Sequence, residues 1–207
     1  DNTFIGDNAG SATTTAGNNV AVGSSALLVN TTGAGNTAVG DQALDANTTA
    51  GDNTAIGYKA LTANTTGTAN VAVGKDALEA NTTASYNTAV GYTALATNTA
   101  DSNTAVGYAA LNANTTAVYG TAIGVNALAT NTTGGSNTAI GHKALYANTT
   151  GHSNVAIGKD ALDSNTTANH NIAVGVDALQ ANTTGATSVA IGGEALTANT
   201  TGGNNVA

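Results

Sequence analysis

Apolar β-branched residues recur along this chain in one fixed arrangement, legible in Asn53-Thr54-Ala55-Ile56-Gly57. A Thr, Val or Ile stands three residues before a glycine (Thr54, Val71, Ile172) and a Val or Ile one residue before it, with Ala between them (Phe4 in the first copy). Such period-two alternation in a β-branched run predicts a short strand with Val and Ile sharing one face. After the glycine come two variable, mostly polar positions and then Ala-Leu-x-small, as in Ala77-Leu78-Glu79-Ala80. Leu and the small residue two positions later would share a face, which predicts a second short strand. Gly and Thr interrupt every stretch before it reaches helical length. Proline is absent, as expected where backbone N–H groups must donate to neighbouring strands.

The glycines set the period. Gly6, Gly23, Gly40, Gly57, Gly74, Gly91, Gly107, Gly124, Gly141, Gly158, Gly175 and Gly192 are spaced by 17 residues, except for one step of 16 between Gly91 and Gly107. Each allows a turn with positive φ or a close backbone approach. The short step arises because Asn98-Thr99-Ala100 lacks the second Thr of the usual Asn-Thr-Thr. A deletion inside a strand would flip every later side chain to the other face, so the tripeptide belongs at a corner or loop. The reading is an all-β parallel solenoid of about twelve 17-residue coils with two short strands per coil, forming one continuous domain over 1–207. Val or Ile with Leu would supply a thin core. The strand Ala scarcely varies, whereas the residue after Leu drifts freely (Asp45, Thr62, Glu79, Tyr146). That contrast predicts that Ala packs closely against a second copy of the chain, with Phe4 needing local room.

Composition narrows the function. The 207 residues carry a net charge of −8 with only four lysines and arginines together, which excludes the cationic stripe that nucleic acid requires. No apolar run approaches the length of a membrane span. With no Cys there are no disulfides and no thiolate chemistry. The chain opens in mid-phrase at Asp1-Asn2-Thr3-Phe4-Ile5-Gly6 and stops in mid-phrase at Asn205-Val206-Ala207. This predicts either a segment of a longer repetitive fibre or a protomer that continues into the next.

The phrase Asn-Thr/Val-Ala-Val/Ile-Gly-x-x-Ala-x-x-Ala resembles the head-domain repeat of trimeric autotransporter adhesins of the YadA type. It also resembles the repeats of phage tail fibres and bacterial surface fibres, and the resemblance spans the whole chain. It implies a left-handed parallel β-roll, three chains about one axis, and a non-enzymatic extracellular, cell-surface or virion fibre whose further partners are a host surface receptor or glycan. The 17-residue period is longer than in the adhesin heads, and Asn-Thr-Thr is an addition to their phrase.

The candidate chemistry lies in that tripeptide. Asn30, Asn47, Asn64, Asn81, Asn114, Asn131, Asn148, Asn165, Asn182 and Asn199 each begin a formal glycosylation sequon. Asp45, Glu79 and Asp163 place an acid two residues ahead of the Asn. The structural reading is an Asn ladder inside a corner, amides bonding coil to coil; the alternative is glycan attachment on Asn or Thr. Ordered threonines suit ice or crystalline polysaccharide, although adjacent threonines would point different ways. Equivalent sites of neighbouring coils pair Lys59 with Asp76 and Lys143 with Asp160, and place Tyr92 beside Tyr108. His142, His152 and His170 show no ligand spacing, and the acidic residues lack the calcium-binding phrase of β-rolls, so no metal or cofactor is expected. No Ser/His/Asp grouping stands apart from the repeat, and the expectation is a structural protein rather than an enzyme.

Overall fold

The computed structural model describes residues 1–207 and is all-β, with twelve strands and no helix. Two compact units divide the chain, Asp1–Ser102 and Asn103–Ala207. Unit 1 holds β1 (Thr3–Ile5), β2 (Val20–Val22), β3 (Thr37–Val39), β4 (Thr54–Ile56), β5 (Val71–Val73) and β6 (Thr88–Val90). Within it each strand pairs in parallel with the next, and the partners lie 17 residues apart (Ala55 on Ala72, for instance). Unit 2 repeats this with β7 (Thr104–Val106), β8 (Thr121–Ile123), β9 (Thr138–Ile140), β10 (Val155–Ile157), β11 (Ile172–Val174) and β12 (Val189–Ile191), and Val206 bridges back to Val189. Both units are parallel β-solenoids.

The strand faces are the reverse of the expectation from hydrophobicity. The central Ala of β2–β12 is fully buried, whereas the flanking Thr, Val and Ile are half-buried or exposed, Ile56 by 39% and Ile123 by 40%. Alternation dictates that Ala and Val/Ile oppose each other, and volume decides which turns inward. The interior must also take an Ala-Leu pair and two Asn side chains per coil, all buried. Only a methyl fits beside them. The first coil shows the same volume rule: Phe4 replaces the strand Ala, Gly10 replaces the turn Leu, and a Cβ on Gly10 would stand 2.6 Å from the Phe4 ring. Phe4 gets its room from the missing Leu.

Each coil holds one strand rather than two. The stretch from Gly57 through Ala63 is a turn, although its N–H groups still bond between coils, Gly57 to the Val39 carbonyl (2.8 Å), Leu61 to that of Ala77 (3.0 Å) and Ala63 to that of Glu79 (3.3 Å). The backbone curls because alternate residues are left-handed: Gly57 at φ 136°, Lys59 at 55° and Leu61 at 52°. Positive φ costs a leucine about 1–2 kcal/mol, which full burial of its side chain, at about 1.5–3 kcal/mol, offsets. At the pivot glycine no such exchange is open. A Cβ on Gly57 would stand 2.5 Å from the Gly74 carbonyl oxygen of the next coil.

Candidate functional site

Neither unit holds a pocket, so the sites to weigh are surfaces repeated from coil to coil. The Asn-Thr-Thr segment lies outside the strands in every coil. Its Asn is interior: of the ten sequon asparagines, all but the half-buried Asn199 are exposed by 1% or less. Asn64 is typical. Its amide donates to Asn47 Oδ1 of the preceding coil (3.1 Å) and to the Gly67 carbonyl of its own (2.9 Å), while its Oδ1 accepts from Asn81 (3.0 Å). An amide with both protons engaged in a sealed corner offers no nitrogen to a glycan without unfolding the coil.

A second Asn ladder, which the sequence reading passed over, stands at the residue before ten of the twelve strands. Asn36 Oδ1 accepts from the Asn53 N–H (3.1 Å), and the Asn53 amide donates to the Gly67 carbonyl (2.9 Å). Both ladders therefore converge on one carbonyl per coil. The signal was available: Asn recurs before the strand at Asn19, Asn36, Asn53, Asn70, Asn87 and Asn103. The shortened coil shows the cost of a slip. Asn98 bonds the carbonyl two residues on, at Ala100, instead of three, and Asn81 Oδ1 is buried with no partner.

The two threonines differ. The first hydroxyl donates to the next coil's threonine carbonyl, Thr48 to Thr65 (3.2 Å) and Thr149 to Thr166 (3.2 Å). The second, as at Thr66 and Thr150, is exposed.

The variable positions after the glycine carry the charges, but not in the pairs expected. Lys59 lies 5.5 Å from the Tyr58 ring and Lys143 5.4 Å from Tyr146, as cation–π contacts. Asp76 instead meets its chain neighbour Lys75 (2.5 Å), and Asp160 meets Lys159, with His142 Nδ1 3.6 Å away. The left-handed residue two after the glycine, Asp76 at φ 56° or Asp160 at 54°, turns its side chain toward that of the residue before it. The hydrogen bond to Asp76 holds the Lys75 ammonium above its ordinary pKa, as Asp160 does for Lys159. Lys75 also sits between Tyr58 (5.6 Å) and Tyr92 (5.1 Å), a cation between two rings. Tyr92 belongs to unit 1 and Tyr108 to unit 2. His152 and His170 meet edge to face at 5.1 Å. Asp45 is raised above the usual carboxylate range, first by burial and then by Asp41; Asp163 is raised by burial and then by Asp160.

The outward strand face is the other repeated surface. In unit 1 it presents Thr3, Val20, Thr37, Thr54, Val71 and Thr88 in one row, and Ile5 through Val90 in the other. Unit 2 presents an equivalent pair of rows, and no strand position in either unit is charged. Comparison with protein-family models, curated proteins and solved structures gives no match.

Proposed function

We propose that this chain is a non-enzymatic structural segment of an extracellular fibre or adhesin, in which further copies of the chain meet along the strand face. The observation that carries this is the outward, uncharged double row of Thr, Val and Ile, with Ala turned inward. A water-facing row would be expected to accept charged residues somewhere in twelve copies, and this one never does. The resemblance to trimeric adhesin heads and tail fibres supports the same reading.

Size sets how the association works. Three residues of strand cover about 10 Å and six stacked strands about 29 Å, so the face measures about 290 Å² per unit. That is no larger than the patch of about 300–600 Å² that an ordinary monomer exposes, and it falls short of the ~800 Å² per partner of a stable pair. Association is therefore cumulative, growing with the number of coils that align. A second reading, a self-polymerising filament, uses the same face and differs in having no fixed length under the electron microscope.

Light scattering on the purified chain tests the proposal. The expected mass is a multiple of the 19.8 kDa chain, and Ile56→Lys with Ile123→Lys returns it to monomer while leaving the circular dichroism unchanged. A wild-type chain that stays monomeric at every concentration would remove the reading.

A further inference from the structure

The exposed column of threonines is unlike any other exposed position in the repeat. The residue two after the corner Asn is Thr in ten of the eleven coils from Asn30 onward, and the remaining coil is the one that lacks a residue. Other exposed sites vary without constraint: the position after the glycine is Tyr58, Lys75, Tyr92, His142 and Val176 in different coils. Solvent alone does not hold a residue constant.

Nor does a bond within the fold. The hydroxyls of Thr49, Thr66 and Thr83 in unit 1, and of Thr133, Thr150 and Thr167 in unit 2, are exposed, whereas the bonds of this corner belong to the first Thr and the Asn. Where the repeat needs only an extended β-branched residue, Thr and Val interchange, as at Thr54, Val71 and Thr88 on the strand. At the second Thr of the tripeptide Val never appears. What is repeated there is the hydroxyl itself, accessible and unengaged.

We propose that this second threonine is an O-glycan acceptor, and that the sequon-like asparagines beside it are not. In the transfer, Thr Oγ1 attacks the anomeric carbon of a nucleoside-diphosphate sugar bound to a glycosyltransferase. The new glycosidic C–O bond forms as the anomeric C–O bond to the diphosphate breaks. The hydroxyl proton passes to the transferase's base, and nucleoside diphosphate leaves. The folded coil accepts this product, since no hydrogen bond of the corner is broken. The same addition at the first Thr would break its bond to the next coil (3.0 Å from Thr65 Oγ1 to the Thr82 carbonyl). The proposal stands apart from association through the strand face, because it rests on a different surface of the coil.

The experiment uses the chain isolated from the cells that make it. Intact mass, followed by electron-transfer fragmentation of its peptides, should show sugar increments on Thr66, Thr150 and their equivalents. A chain carrying Thr66→Val and Thr150→Val, expressed in the same cells, should lose the increments at those two coils alone. A mass equal to the bare chain overturns the proposal. So do increments confined to Asn, to the first Thr or to the strand threonines, or increments that the two substitutions leave unchanged.

Discussion

Two columns share the interior, and away from the end coils both are buried. One is apolar, made of Ala55, Ala60 and Leu61 in the fourth coil; the other is polar, made of Asn53 and Asn64. The chain contains its own substitutions in each, and they follow different rules. In the apolar column a large residue moves from one wall to the other while β1 keeps its register with β2, as Phe4 and Gly10 show. Summed volume is what that column conserves. In the Asn column before the strand, Ser188 replaces Asn and its hydroxyl oxygen accepts the Asn205 N–H (3.2 Å). At Ser188 what is kept is an acceptor at a fixed point. Apolar packing is non-directional, whereas each amide bonds at fixed points to the coil before and the coil after.

The largest effects should expose that difference. Leu61→Ala leaves a cavity and is expected to cost about 2–5 kcal/mol. Asn64→Leu keeps the volume but strips Asn47 Oδ1 of its donor and the Asn81 amide of an acceptor. At about 1–3 kcal/mol for each orphaned group, the cost is about 2–6 kcal/mol. The sharper distinction is coupling. Asn47→Leu with Asn64→Leu should cost less than the two singles together, because the orphan at Asn47 is removed with its residue. Urea denaturation of the three variants measures this. Strict additivity would mean that the ladder bonds contribute independently, and the contrast between the columns would collapse.

A smaller effect, of opposite sign, is available in unit 2. Gly120 stands where other coils have the pre-strand Asn, and its N–H still donates to Asn103 Oδ1 (2.8 Å). It offers nothing to Asn137. Gly120→Asn would restore an acceptor for the Asn137 N–H, with a gain of about 1 kcal/mol, while the Gly134 carbonyl already accepts from the Asn131 (3.1 Å) and Asn137 (3.0 Å) amides. A new Cβ would lie 3.1 Å from Asn103 Oδ1 and 3.2 Å from Leu111 Cδ1, so those neighbours must give slightly. Gly120→Ala separates the terms, since it adds the Cβ without the amide. Thermal unfolding with Asn above Gly and Ala at or below it is the expected order; Asn and Ala alike would show that the amide adds nothing.

Much of this architecture was legible in the chain. The 17-residue period, the position of the strand and the placing of the missing residue in a turn all follow from spacing, which the backbone must obey. The faces of the strand do not follow. Alternation says that Ala55 opposes Thr54 and Ile56 without saying which side is closed, and the rule that larger apolar residues go inside selected the wrong side. The steady Ala was the clue, a mark of interior space too narrow for a branched residue. The second strand was misread because Leu78-Glu79-Ala80 has strand spacing, while nothing in the residue Leu announces a φ of 52°. The pre-strand Asn ladder was missed through its place beside the strand, where a polar residue reads as punctuation.

The smallest expected effect concerns a half-buried charge beside the interior. Asp45 follows the buried Leu44, and burial, then the nearby Asp41, raises its pKa above the ordinary value. A raised carboxylate pKa means that the folded chain binds the proton more tightly than the unfolded chain, so this group's contribution is most favourable at low pH. It declines as pH rises from the unfolded value through the folded one. At neutral pH the charge is carried at a cost, discounted heavily by the solvent that still reaches it. Asp45→Asn, which makes the site an amide like those of the ladders, should therefore be slightly more stable than the wild type at neutral pH. The advantage should shrink to nothing at about pH 3, below the ordinary Asp range, where wild-type Asp45 is itself protonated. Parallel denaturation curves at the two pH values decide it. An advantage that persists in acid would trace to shape rather than charge.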